Sequence, residues 1–155
     1  MIYRLYKPDD FVALYAIEEV CFHPPFRFPT VYMRKLVTAR DAATWIAEEK
    51  GVMAGFAIVA WTEHDAGISA YIETIEVLPE FRSRGIGAVL LQHVEASART
   101  AEAGSIWLHV DISNAPAIRL YERHGFSPRG SEDHFYAPGR GAHIYAKELA
   151  PVTHA

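Results

Sequence analysis

The sequence predicts an α+β fold, with a mixed, mostly antiparallel central sheet of about seven strands flanked by four helices. Three observations predict it. Two helical-period stretches follow a first short strand. Three strand-like runs then succeed one another with only short polar turns between them. Helices and strands alternate over the remainder, which gives the order β-α-α-β-β-β-α-β-α-β-β, a layered sheet.

Ile2 to Tyr6 reads as the first strand. Pro8-Asp9-Asp10 opens a helix with Asp at the capping positions, and Phe11, Leu14, Ile17 and Cys21 share one face. The segment Phe22-His23-Pro24-Pro25-Phe26-Arg27-Phe28-Pro29 is neither helix nor strand, because its prolines remove donors and fix φ. Thr30 is expected to cap a second helix ending near Ala39. Strands follow at Thr44 to Lys50, Val52 to Thr62 and Ser69 to Leu78, turning at Lys50-Gly51 and at the polar run Glu63 to Gly67. A third helix spans Gly85 to Glu102, with Ile86, Val89, Leu90 and Val94 on one face. Ser105 to Asp111 is a strand and Ala115 to His124 a helix. Two last strands lie around Gly125 to Phe135 and His143 to Leu149. Residues 1–150 read as one domain and 151–155 as a short C-terminal tail.

With 155 residues, half of them apolar, the chain is long enough for one substantial core. A formal charge of −4 argues against a nucleic-acid surface and against polybasic membrane attachment. No apolar run reaches membrane-span length and no signal-peptide pattern is present, so the expected setting is cytoplasmic. The single cysteine, Cys21, excludes an intrachain disulfide, and the eight histidines show no metal-ligand spacing, so no metal is expected.

The most informative stretch runs from Ile75 to Gly87. A buried strand turns at Pro79 into Arg82-Ser83-Arg84-Gly85-Ile86-Gly87-Ala88 and then directly into a helix. Such a loop offers unblocked backbone N–H groups at a helix N-terminus, where phosphate oxygens bind, and Arg82 and Arg84 stand beside them. A second motif, Leu108-His109-Val110-Asp111-Ile112-Ser113-Asn114-Ala115-Pro116-Ala117-Ile118-Arg119-Leu120-Tyr121, continues to Gly125-Phe126.

These two motifs, in this element order, resemble the GNAT superfamily of acyl-CoA-dependent N-acyltransferases. The resemblance implies acetyl-CoA as cofactor and a sheet splayed between its fourth and fifth strands. Backbone groups of Ile75, Glu76 and Val77 would pair with the pantetheine arm there. Residues Arg82, Ser83, Arg84, Gly85, Ile86, Gly87 and Ala88 would hold the pyrophosphate. Asn114 would bond the cofactor arm, and Tyr121 would protonate the departing thiolate. GNAT domains are often dimers, so the likeness leaves a homodimer open.

Transfer of an acetyl group to an amine requires a base for the amine, a donor for the oxyanion and a proton for the thiolate. A free α-amine, with a pKa of ~7.7–8.0 against ~10.4 for lysine, asks less of the base. Side chains alternate along a strand, so Tyr71 and Glu73 share a face, as do Trp107, His109 and Asp111. Histidine, with an ordinary pKa near ~6.5, suits base catalysis at neutral pH. The pairing of Tyr71-Ile72-x-Thr74 with Leu108-His109-Val110 resembles one branch of protein N-terminal α-acetyltransferases, where the matching tyrosine and histidine act through water. Bacterial ribosomal-protein N-terminal acetyltransferases share much of the second motif but carry glutamate at the position of His109. Glu73 is the alternative base, since other GNAT branches use a glutamate on this strand.

Phe22, Pro25 and Phe26 lie where the family places an acceptor loop. Phe135 and Tyr136 resemble the tyrosine loop of N-terminal acetyltransferases, and together these aromatics would wall a narrow tunnel for a chain end. The expected acceptor is thus a protein or peptide N-terminus. A small amine (polyamine, amino acid or antibiotic) is the first alternative, and a non-catalytic acyl-CoA-binding module the second.

Overall fold

A computed structural model describes residues 1–150; the expected tail, 151–155, lies outside the described residues. The elements are β1 (Ile2–Leu5), α1 (Phe11–Cys21), α2 (Thr30–Thr38), β2 (Ala42–Glu49), β3 (Val52–His64) and β4 (Gly67–Val77). They continue with α3 (Ile86–Thr100), β5 (Ala103–Asp111), α4 (Ala115–Arg123), β6 (Ser127–Ala137) and β7 (Arg140–Glu148). The expected order holds throughout. One seven-stranded sheet runs β1-β2-β3-β4-β5-β7-β6, antiparallel everywhere except between β4 and β5. No helix among the described residues is long and apolar enough to cross a membrane.

Two boundaries differ from the expectation. Pro8–Asp10 form a separate 3-10 turn ahead of α1, where the Asp10 carboxylate accepts from the Lys7 N–H at 2.7 Å and clasps Arg4 at 2.8 Å. Pro29, and not Thr30, occupies the position before α2. Its fixed φ of −60° with ψ of 149° suits the extended residue that precedes a helix, so Thr30 becomes the first helical residue.

The two faces of the sheet carry separate cores. Leu90, Leu91 and Val94 of α3 pack on Ala57, Val59, Ile72, Ile106 and Leu108. On the opposite face Leu14 and Ile17 of α1 and Met33 of α2 pack on Ile46, Phe56 and Ile58. The alternation of β4 between these cores is interrupted once. Ile58 pairs with Thr74 but Val59 pairs with Ile72, so Glu73 is the extra residue of a β-bulge. Ile72 and Ile75 therefore both face the α3 core, three residues apart instead of two, while Thr74 and Glu76 face α1.

Gly55 of β3 sits opposite this stretch. A Cβ there would collide with the Glu76 carbonyl oxygen and stand 3.1 Å from Val77 Cα. Gly55→Ala is expected to cost about 1–3 kcal/mol of stability, the usual scale of overpacking. Thermal denaturation measures it, and an unchanged midpoint would show that β4 yields freely at this point.

Candidate active site

The site originates where the one parallel strand pair ends. β4 and β5 are in register from Ile68 with Ala103 to Tyr71 with Trp107, and then part. Beyond that point the β5-facing edge of β4, Ile72 to Val77, has no strand partner among the described residues. A cleft of about 680 Å³ opens there, and it brings together Tyr71, Glu73, Ile75, His109, Asn114 and Tyr121. Phe22, Pro25 and Phe26 wall it from the α1–α2 loop, Phe135 and Tyr136 from β6. The segment expected to be a loop around Phe135 is in fact the end of β6 and its turn into β7.

At the centre lies a chain of three polar side chains. The Tyr71 hydroxyl is 2.8 Å from His109 Nδ1, and His109 Nε2 is 3.1 Å from Glu132 Oε1 on β6. An ionised carboxylate only accepts, so Nε2 carries the ring proton and Nδ1 accepts from the tyrosine O–H. Phe135 lies flat on the imidazole, 3.9 Å between centroids and 9° between planes, which makes it the cover of His109 on one side. Burial raises Tyr71 above its ordinary pKa, aided by the charges of Glu73 and Glu132, so its phenol remains protonated.

Glu73 lies apart from this chain. Its Oε2 accepts from the Tyr32 hydroxyl at 3.2 Å, and burial raises its pKa while that bond opposes the rise. Tyr121 packs in the α3-side core and reaches the cleft from there. Its pKa is raised by burial, with a smaller contribution from Tyr136. Tyr136 itself is pushed up to about 12 by burial, with Asp111 adding to it. The Tyr136 ring meets Phe26 at 4.8 Å, and the Arg140 guanidinium stands 4.8 Å over the same Phe26. These contacts roof the cleft by joining the α1–α2 loop to the β6–β7 hairpin.

The expected phosphate loop stands at the start of α3. Gly85, at φ +78°, occupies the residue before the helix in the left-handed region that favours glycine, and no side chain caps the helix. The first helical bond runs from the Val89 N–H to the Gly85 carbonyl, so the N–H groups of Gly85, Ile86, Gly87 and Ala88 have no intrahelical acceptor. The two arginines, however, are engaged elsewhere. Arg82 donates to the Val77 carbonyl at 2.9 Å and approaches Cys21 Sγ at 3.7 Å. Arg84 forms an ion pair with Glu49 at 2.8 Å. The donors that this loop leaves open are thus its backbone N–H groups. Asn114 Oδ1 accepts from the Ala117 N–H at 3.3 Å and so caps α4, while its amide nitrogen remains open toward the cleft.

The residues present suit an acyl-CoA. A strand edge without a partner accepts an extended amide-bearing arm, and a glycine-lined helix start accepts a pyrophosphate. Residues 5–126 match the family model of the acetyltransferase (GNAT) family. The chain belongs to the GNAT acetyltransferase family. Members of the family are N-acetyltransferases that use acetyl-CoA. An N-alpha-acetyltransferase of Sulfurisphaera tokodaii is 30% identical over 139 residues, covering 81% of this chain and 80% of that protein. The streptothricin acetyltransferase of Streptomyces lavendulae is 41% identical over 97 residues, which cover 62% of this chain but only 50% of that protein. Among solved structures, the ribosomal-protein-S18-alanine N-acetyltransferase of Escherichia coli superposes with a TM-score of 0.83 at 26% identity, covering 99% of this chain and 98% of that one.

Within this GNAT site, three contributors had no signal in the sequence. Glu132 lies 23 residues from His109 on an otherwise exposed strand. Tyr32 is an ordinary helix aromatic until α2 is placed against β4. Glu18 lies four residues after Leu14, on the apolar face of α1, where periodicity alone predicts an aliphatic side chain.

Proposed function

We propose that this enzyme acetylates the N-terminal α-amine of a protein or peptide, with Tyr71 and His109 as the relay that removes the amine proton. The observation that carries this reading is the hydrogen-bonded chain Tyr71–His109–Glu132 at the end of an aromatic-walled cleft. Tyr71 takes the amine proton through water as its own proton passes to His109 Nδ1. His109 becomes a cation, which the carboxylate of Glu132 stabilises through the Nε2–H bond. Tyr71 does not act as a standing phenolate, because burial raises its pKa. Acetyl-CoA supplies an activated acetyl group and leaves as the thiol. Tyr121, kept protonated by burial, donates to the departing sulfur. Ile75 to Val77, the backbone of Gly85 to Ala88 and the Asn114 amide hold the cofactor, with Ser83 shaping the turn at φ +63°.

The lining of the cleft favours a peptide end over a polycation. Of the carboxylates at its wall, Asp111 is already paired with Arg140 at 3.2 Å, and Glu73 accepts from the Tyr32 hydroxyl at 3.2 Å. The aromatic groups Phe22, Phe26, Phe28 and Tyr136 supply apolar contact along the chain instead. A small cationic amine is the second reading, and the likeness to streptothricin acetyltransferase is what favours it. Initial rates with acetyl-CoA decide between them, measured on short peptides with a free N-terminus, the same peptides with a blocked N-terminus and an internal lysine, and spermidine and streptothricin. The expected order of kcat/KM places free N-terminal peptides first. Turnover of the small amines without turnover of any peptide overturns the reading.

A further inference from the structure

The least expected feature of the molecule is a pair of carboxyl groups with no access to water. Glu18 on α1 is 0% exposed and Glu76 on β4 is 2% exposed. The two carboxyls meet one another in the interior. Each has one oxygen satisfied. Glu18 Oε2 accepts from the Phe28 N–H at 2.9 Å, and Glu76 Oε2 accepts from the Thr74 hydroxyl at 2.8 Å. The second oxygen of each, Oε1, is buried without a donor among the described residues. Two ionised carboxylates placed this way would repel in a medium of low dielectric and leave both oxygens unpaired. One proton between them satisfies both.

We propose that Glu18 and Glu76 share a single proton, and that this acid pair is the clasp holding the acceptor loop, Phe22 to Pro29, against the cofactor strand. Glu18 is then a positioning residue for the acceptor amine. It joins three parts of the site: α1 through its own backbone, the loop through the Phe28 N–H, and β4 through Glu76. The loop has other ties, from Tyr15 Oη to the Phe28 carbonyl at 2.7 Å and from Arg27 Nε to the Phe22 carbonyl at 3.0 Å. Glu18 links it, through the Phe28 N–H and Glu76, to β4 beside the cofactor edge, and a second path runs through the contact of Phe28 with Tyr32 and the Tyr32–Glu73 bond. This inference rests on the reading of that loop as the acceptor wall.

The groups facing the pair define its response to pH. Thr74 contributes a hydroxyl from β4 and Phe28 an N–H from the loop. Cys21 contributes a thiol from α1, pushed up to about 11 by burial and by Glu76, and so neutral. Arg82 reaches the Cys21 sulfur at 3.7 Å. Burial, with Glu18 as neighbour, raises Glu76 well above the usual carboxylate range. The native state thus retains a proton that the unfolded chain releases near pH ~4.3, and stability falls as pH rises through the raised pKa. Loss of the proton drives the carboxylates apart and loosens the loop.

Carboxyl ¹³C NMR of glutamate-labelled protein, without acceptor or cofactor, tests the shared proton directly. Glu76 is expected to hold its proton well above the usual carboxylate range, and the Glu18 carboxyl carbon to respond to that same step. Titration of Glu76 within the ordinary range, with no response at Glu18, overturns the clasp. Two variants test the positioning. Glu18→Gln retains an acceptor for Phe28 and donates an amide N–H to Glu76, so acceptor KM stays near wild type and loses its rise with pH. Glu18→Met leaves the Phe28 N–H unpartnered and Glu76 with the Thr74 hydroxyl as its partner, and acceptor KM is expected to rise about tenfold while acetyl-CoA KM holds. Equal damage in both variants, or a parallel rise in acetyl-CoA KM, refutes positioning. Hydrogen exchange at the Phe28 amide needs no acceptor. It should stay protected in wild type and Glu18→Gln and open in Glu18→Met, which separates failure of the clasp from failure of the peptide reading.

Discussion

His109→Ala and Tyr71→Phe are each expected to lower kcat about 10²–10⁴-fold, the usual worth of general-base assistance. The two side chains form one relay, so the double variant should be scarcely slower than the worse single one. That non-additivity distinguishes a shared proton path from two independent contributions. Glu132→Ala should cost only a few-fold. Its side chain is 50% exposed, and pairs so open to solvent are worth about 0.2–1 kcal/mol. His109, 7% exposed, remains aligned by Tyr71 and by the flat contact with Phe135. Steady-state rates on a free N-terminal peptide measure all four. Intact turnover in both single variants assigns the base elsewhere, with Glu73 next in line, and Glu73→Gln would then carry the loss.

Tyr121→Phe is expected to reduce kcat about 10²–10³-fold, on the scale of general-acid catalysis, with KM for both substrates nearly unchanged. The ring fills the same core position among Phe126 and the apolar face of α4, so removal of one hydroxyl leaves the packing intact. The direction of its pKa shift adds a second observable. Burial raises the phenol above its ordinary value, so it is protonated at neutral pH and is expected to add no alkaline fall to the rate profile there. Single-turnover rates with acetyl-CoA, and with an analogue bearing a better leaving thiol, provide the check. The better leaving group should recover much of the loss in Tyr121→Phe and change the wild type little. A loss equal for both donors would remove Tyr121 from proton donation and make it a packing residue.

Much of this molecule could be read from one dimension. Periods of 3.6 and 2 place the helices and most of the strands, because those elements bury one face and the burial pattern is written in local spacing, whereas β6 is exposed along nearly its whole length. The glycines before α3 and Asn114 before α4 are legible for the same reason, since caps and turns depend on neighbouring residues. Tyr71 and His109 are legible as a pair through the resemblance to N-terminal acetyltransferases, and the structure adds the 2.8 Å contact between them. A proline and a threonine both suit a helix start, and in the structure Pro29 takes the position before α2 and Thr30 its first turn.

What the sequence alone determined is therefore the layered fold, the glycine-lined start of α3 and the group of residues at the diverging strands. The tertiary structure decided three further matters. It turned Arg84 to Glu49 and Arg82 to the Val77 carbonyl, leaving backbone N–H groups as the open donors of the loop. It set Glu132 against His109, and so fixed which imidazole nitrogen accepts. It also buried Glu18 against Glu76, where helical spacing alone predicts an apolar residue. The physical reason is common to all three. Local spacing encodes which face of an element is buried, whereas the partner of a charged group is set by elements tens of residues away, and its energy depends on the solvent that they exclude.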